Sequence, residues 1–422
     1  MKILQINNFH YLRGGADKVY LDTGELLAKH GEAVIYFSSV HPKNYPSAYD
    51  KYFVKYTEPY DSASFLNSIL RTIDYLYSLD AKRKLSRLLK VEKPDVAHLH
   101  IFQSRLTFSI LPVLKKYKIP VIMTLHEYKM LCPMYQMVDA GNNVCELCPS
   151  TGNPFHVLKK RCNKSSFKYS LISLVESLIR KTIYKYEHFV DRFLAVSSFV
   201  EDKHIQYKPE LADKIYKLYN FVNLDAYTPG REKGDFFIYV GRLSREKGIK
   251  FLLEAWKNFP DVPLYLAGDG PMKSEILEYV SQHSLKNIVL LGFLSPNELM
   301  PHLQKAKFLI LPSLTYETFG LTLIEAMACG TPPVAAKIGG MTELITHGEN
   351  GLQFTSNSQE EFIQVINEAL QLKEDQYQLM IENGFSFVNQ NFGASQYYAD
   401  LMAHYREIIP KKREKPKKSI LR

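Results

Sequence analysis

Short apolar runs alternate with longer helical patterns along almost the whole chain, and this rhythm restricts the fold more than any other feature. Strands of a parallel sheet are buried on both faces and read as continuous apolar runs, with helices as the crossovers between them. In the first half the runs are Lys2–Asn7, Ala33–Ser38, Val96–Ile101, Pro120–Leu125 and Arg192–Ser197. In the second half they are Phe236–Val240, Pro263–Ala267, Asn287–Leu291, Phe308–Pro312 and Pro332–Ala336. Between the halves, the stretch from Asn220 to Gly230 is rich in turn formers and reads as a linker. The expectation is an α/β chain of two doubly wound domains facing a cleft, because such sheets bind ligands beyond the carboxyl ends of their strands. On this reading residues 1–220 and 221–385 are the two domains. A helical pattern near Asp375–Tyr405 follows, with 386–409 as a terminal helix whose packing against the first domain the sequence leaves open.

Composition narrows the class. A hydrophobic share of 46%, with 24 Phe and 28 Tyr, supplies enough apolar surface to exclude wholesale disorder. No run approaches the roughly 18–20 apolar residues of a membrane span, and the opening run is broken by Asn7 and Asn8 too soon for a signal-peptide core. A soluble protein of the reducing cytosol is expected. The formal charge is +9, yet Lys411–Arg422 holds seven Lys/Arg against one acid, Glu414, so the body before this tail is close to neutral. Such a tail suits anionic lipid, RNA, or simply a disordered, solubilising end. Nothing resembles an RNA-recognition or helix-turn-helix signature, so nucleic acid is not the expected partner.

Several residue sets suit anion and sugar chemistry. After the first run comes Arg13-Gly14-Gly15-Ala16 and then a helical pattern. Glycines there let backbone N–H groups approach an anion at a helix N-terminus; the plain alternative is a tight turn. In Gly241-Arg242-Leu243-Ser244-Arg245-Glu246-Lys247-Gly248, Arg242 can fork onto phosphate oxygens while Lys247 supplies a compact charge. Downstream, Gly320, Leu321 and Thr322 would expose backbone donors at a helix start. Glu317 and Glu325 flank them as acceptor-only groups suited to sugar and ribose hydroxyls. His126 ends the Pro120–Leu125 run and by position points into the cleft. No Asp-x-Asp pair is found to hold a divalent ion, so a bound anion would be met by fixed cations and backbone dipoles.

With Ala267-Gly268-Asp269-Gly270-Pro271 and Ala328-Cys329-Gly330-Thr331-Pro332 added, these motifs resemble the retaining nucleotide-sugar enzymes of glycosyltransferase family 4. The resemblance runs from the Arg13-Gly14-Gly15 loop to about Phe354. It implies a GT-B architecture: two Rossmann-like domains, the first on the acceptor side and the second holding the donor. It further implies that Arg242 and Lys247 neutralise the donor diphosphate, with the Gly320–Thr322 helix start and the Gly14-Gly15 loop beside it. By the same resemblance Glu325 holds the ribose and Glu317 contacts the transferred sugar, while Phe293 and Leu294 lie against the base. His126 matches the family's active-site histidine; its expected role is to orient the reacting sugar and support charge there. No covalent nucleophile is identified and no catalytic cofactor is expected.

Four of the five cysteines cluster as Cys132, Cys145, Cys148 and Cys162. Two thiolates spaced Cys-x-x-Cys reach one metal, and two outlying cysteines complete a tetrahedron. A structural zinc is favoured; an iron–sulfur cluster, His156 as a substitute ligand, and coincidental thiols are the alternatives. Some polysaccharide-forming family members look similar in this insertion, about 132–162. The next segment, about 159–186, interleaves Lys159, Lys160, Arg161, Lys164, Lys168, Arg180, Lys181 and Lys185 with apolar residues such as Phe167, Leu171 and Ile183. That pattern suits a helix lying on an anionic membrane as well as an ordinary core-facing helix.

The function expected from all this is transfer of a sugar from a nucleotide diphosphate donor to a saccharide acceptor, lipid-linked if the membrane reading holds, in cell-surface polysaccharide synthesis. The expected location is the cytoplasm, peripheral on the inner membrane face. The rivals are a nucleotide-sugar epimerase of the same fold and a non-catalytic nucleotide-sugar-binding or scaffolding protein.

Overall fold

A computed structural model describes residues 1–56, 65–230 and 232–410; the basic tail Lys411–Arg422 lies outside the described residues. The ten apolar runs become ten parallel strands: β1 (Lys2–Ile6), β2 (Ala33–Phe37), β3 (Val96–Leu99), β4 (Val121–Leu125) and β5 (Arg192–Ala195) in the first lobe. The first sheet adds an edge strand, β6 (Ile215–Lys217). In the second lobe they are β7 (Phe237–Val240), β8 (Leu264–Ala267), β9 (Ile288–Gly292), β10 (Phe308–Leu311) and β11 (Pro333–Lys337), with the edge strand β12 (Leu352–Thr355). Neither added strand shows as a continuous apolar run, because Lys217 in one and Gln353 and Thr355 in the other interrupt it.

The sheets are ordered β2-β1-β3-β4-β5-β6 and β12-β11-β10-β7-β8-β9. Each therefore reverses its winding once, between β1 and β3 in the first and between β7 and β10 in the second. At such a switch point the loops leaving two neighbouring strands splay apart and open a crevice. The central strands β3, β4, β5 and β10 are buried throughout, which explains their unbroken apolar runs.

The chain crosses between lobes twice, side by side: Val222 N–H donates to Phe392 O at 2.9 Å, and Val222 bridges to Gly393. The final helix, Ala394–Ile408, then lies on the first sheet. Tyr397, Leu401, Met402 and Tyr405 pack there with Ile3, Val96, Ile122 and Leu194. Burying four such side chains contributes roughly 1.5–3 kcal/mol each as an upper estimate. The second lobe is thus held between two crossings rather than hung on one.

Candidate active site at the two switch points

The loop after β7 carries Arg242 and Lys247, and the loop after β10 carries Glu317. Gly248 closes the first loop with φ of 74°, where a Cβ would stand 1.9 Å from Pro312 O, so only glycine lets the two loops lie this close. They are joined by Leu314 N–H donating to Glu246 O at 3.0 Å. The side chains meet too: Lys247 Nζ lies 2.6 and 2.8 Å from the two Glu317 carboxylate oxygens, and Ser313 Oγ donates to the same carboxylate at 2.5 Å. The Tyr239 hydroxyl pins the loop backbone by donating to Arg242 O at 2.7 Å. The Arg242 side chain is exposed, and among the described residues no group pairs with its guanidinium. One cation is therefore held by a carboxylate and the other is open to a ligand.

Glu325 sits on the helix Leu321–Ala328, whose N-cap Gly320 adopts φ of 113°. Its side chain is buried. Glu325 Oε1 accepts from the Tyr227 hydroxyl at 3.1 Å and lies 3.6 Å from Lys18 Nζ. Burial raises its pKa, against the pull of Lys18 and Tyr227. Lys18 belongs to the first lobe's helix Gly15–Lys29 and also pairs with Asp22 at 2.6 Å. At the same contact a Cβ on Gly15 would meet Leu321 Cδ1 at 3.4 Å. The glycine loop after β1 and the helix start after β10 therefore face each other across the cleft. Beside them is a cavity of about 370 Å³ lined by Leu12, Lys18, Asp22, Glu25 and Tyr36 of the first lobe and Pro296 of the second. Phe293, 59% exposed, and half-buried Leu294 lie just before Pro296 on the same loop.

His126, after β4, is half-buried and stacks on His100 at 5.1 Å between ring centroids. Burial drives its pKa down to about 3, so the imidazole is neutral at physiological pH. A neutral ring can orient a group by hydrogen bonding, and it brings no positive charge. Two residues on, Tyr128 is buried, and its ring lies 6.2 Å from Tyr316, the neighbour of Glu317.

The lobes also meet through residues that no local pattern marks. Ser197 Oγ donates to Thr318 O at 2.7 Å. The N-terminus of the helix Ser198–Tyr207 is capped from the other lobe: Ser198 and Phe199 N–H donate to the Glu343 carboxylate at 2.9 and 2.6 Å. Glu146, inside the cysteine-bearing segment 132–162, accepts from Tyr316 at 2.6 Å, from Lys203 at 2.7 Å and from Tyr207. Gln136 of the same segment donates to Glu246 at 3.3 Å. Tyr316 precedes Glu317 and Glu246 precedes Lys247, so this segment touches both loops that form the cation–carboxylate pair.

Two family models match the chain. One, described as Glycosyltransferase Family 4, matches residues 13–226, just over half of the chain. The chain belongs to glycosyltransferase family 4. The other, Glycosyl transferases group 1, matches residues 225–387, the second lobe. An uncharacterized glycosyltransferase of Methanocaldococcus jannaschii is 31% identical over 198 residues, 47% of this chain and 54% of that protein. The chain thus spans about half the length of that relative. The N-acetyl-alpha-D-glucosaminyl L-malate synthase of Bacillus anthracis is 23% identical, with 94% of each chain covered. Among solved structures, Anabaena HepE in complex with UDP-glucose superposes with a TM-score of 0.66 at 18% identity, covering 96% of this chain and all of that one, a likeness of fold. The two-lobed family 4 architecture is the one expected.

In this family 4 chain the four clustered cysteines lie near enough to act on one another's thiols. Cys132 and Cys148 are buried and adjacent, and all four thiols, with Cys145 and Cys162, are free. Cys132 is pushed up by its contact with Cys148 and then by burial, and Cys162 is pushed up to about 11 by burial. Among the described residues no three Cys, His, Asp or Glu side chains are arranged to hold a metal ion. His156 bonds Thr151 at 3.1 Å instead of joining the thiols.

In the segment 159–186 the basic side chains do not all face outward. In its helix Phe167–Thr182, Arg180 turns inward, donating to Met130 O at 2.9 Å and lying 3.7 Å from buried Glu176. Phe167, Leu171 and Ile183 are exposed instead. Among the described residues no helix is long and apolar enough to cross a membrane.

Proposed function

We propose that this chain moves a glycosyl group from a nucleotide diphosphate sugar to a hydroxyl of a saccharide, with retention at the sugar carbon. The observation that carries the reading is the meeting of Lys247 and Glu317 at one switch point with the Gly15–Leu321 and Lys18–Glu325 contacts leading to the other. The open Arg242 guanidinium suits diphosphate oxygens, and the Gly320–Thr322 helix start suits the charge that develops as the diphosphate leaves. Lys247 then shares its charge between the diphosphate and Glu317, whose carboxylate accepts from a sugar hydroxyl. Glu325 holds the ribose in exchange for its Tyr227 bond, and Phe293 and Leu294 lie under the base. No residue is assigned as a covalent nucleophile; the departing phosphate takes the acceptor proton on the same face of the sugar. The HepE complex with UDP-glucose supports a nucleotide sugar as the donor class.

The acceptor is a lipid-linked saccharide of a cell-surface polymer, met at the inner leaflet. Support comes from exposed Phe155, Phe167, Leu171 and Ile183 beside a run of lysines.

A screen of nucleotide sugars tests the reading. A true donor at 100 times its dissociation constant should stabilise the fold by about 2.7 kcal/mol. With an acceptor present, product should form with the donor's anomeric configuration. Stabilisation without transfer to any acceptor would point to a binding protein, and an altered sugar nucleotide would point to an epimerase.

A further inference from the structure

His126 is the last ring of a hydrogen-bonded chain that begins on the first strand. Gln5 on β1 and His98 on β3 are register partners at the carboxyl end of the sheet, and both are fully buried. Gln5 Oε1 lies 2.8 Å from His100 Nε2, and His100 Nδ1 lies 2.9 Å from His126 Nε2. An amide oxygen can only accept, so the proton of the first bond belongs to His100 Nε2. Burial, and then the neighbouring His98 and His126, hold the His100 pKa well below 6.5, so this ring is neutral and its Nδ1 is bare. A bare nitrogen accepts, and the proton of the second bond must come from His126 Nε2. His126 is neutral as well, which leaves a lone pair on its Nδ1. Among the described residues no group bonds that nitrogen.

The other arm of the amide has the same polarity. Gln5 Nε2 lies 3.4 Å from the Tyr405 hydroxyl, which lies 2.7 Å from His98 Nδ1, and His98 Nε2 lies 2.7 Å from Thr124 Oγ1. A hydroxyl that accepts from Gln5 donates onward to His98, whose other nitrogen then donates to Thr124. Stacking at 4.3 Å for His98–His100 and 5.1 Å for His100–His126 resists rotation of any ring. The final helix enters this chain through Tyr405, which gives its return to the first lobe a consequence at the site.

We infer that Gln5 and His100 are positioning residues that hold His126 as its Nε2–H tautomer, presenting Nδ1 as an acceptor for a hydroxyl of the bound sugar. So held, His126 orients a hydroxyl and neither donates a proton from Nδ1 nor carries positive charge. The identity of that hydroxyl rests on the transferase reading; the tautomer does not.

Nitrogen-15 NMR of histidine-labelled full-length protein tests it, with His126 assigned by loss of its signal in His126→Asn. The expected spectrum shows His100 and His126 both protonated at Nε2, unchanged from about pH 5 to about pH 8. A proton on His126 Nδ1, as the reversed chain with the Gln5 amide turned over would give, overturns the inference. So does titration in the ordinary histidine range. Gln5→Met, once shown to be folded, should give mixed His126 tautomers and lower kcat roughly tenfold with donor KM within about twofold. A folded variant that keeps both the tautomer and kcat removes the positioning role. The wild-type spectrum needs no variant to report the tautomer. If it shows Nε2–H while no nucleotide sugar is turned over, the transferase reading fails and the tautomer stands.

Discussion

Lys18 Nζ stands 3.6 Å from Glu325 Oε1, joining a helix of the first lobe to a helix of the second across the mouth of the cleft. An ammonium there partly offsets a carboxylate whose pKa burial has raised.

Arg242→Ala, Lys247→Ala and Glu325→Ala should each lower turnover at least tenfold, equivalent to about 1.4 kcal/mol of barrier. Steady-state kinetics with the donor found in the nucleotide-sugar screen provides the check. Unchanged turnover in all three would remove the donor assignment.

Glu146→Ala should loosen the contact between the cysteine-bearing segment and the second lobe. Its carboxylate accepts from Tyr316, Lys203 and Tyr207, and a hydrogen bond to a charged group contributes roughly 1.5–3 kcal/mol. Urea unfolding should show a lower midpoint at unchanged slope, and the amides of 314–319 should exchange faster. Glu146→Gln, which keeps an acceptor for Tyr316, should fall between the variant and the parent. Equal exchange in all three proteins would show that the segment does not hold this loop.

Asp17, in the first turn after Gly14, is pushed up from 3.8 to about 6, chiefly by burial, against hydrogen bonds from Asn7 and Gly14 and the charge of Arg13. A carboxyl that keeps its proton longer in the folded state loses stability for the fold as pH rises from about 4 towards 6. Asp17→Asn retains an acceptor for Asn7 and cannot ionise. Its stability relative to the parent should therefore grow across that window and level off above it. A difference that is flat with pH would show that Asp17 ionises freely in the fold.

Flotation with vesicles should recover the full chain with anionic lipid and not with neutral lipid. Replacing exposed Phe167, Leu171 and Ile183 by Ser should reduce that recovery, since none of the three is core packing. Equal recovery with both lipids, or with neither, would remove the membrane surface as a partner.

The alternation that opens the sequence was sufficient for ten of the twelve strands, because burial on both faces leaves a continuous apolar run in contiguous residues. Arg242, Lys247, Glu317 and His126 stood out for a similar reason: each lies in the loop that leaves a strand end, where a parallel sheet gathers its loops, while Glu325 on the following helix stood out by its spacing from Glu317. Their partners could not be found that way. Lys18, Tyr227, Glu146 and Gln5 reach the site from segments far apart in the chain, and no local spacing distinguishes them from surface or strand residues. Charge states were equally out of reach. His126 is neutral because its partial burial disfavours the charged ring, and Arg180 faces inward because Met130 O and Glu176 lie on that side. The cysteine spacing left side-chain direction open, and only the structure brings Cys132 and Cys148 into contact. Periodicity belongs to neighbours along the chain, whereas solvation and partnership depend on which distant loops two separately wound sheets bring together.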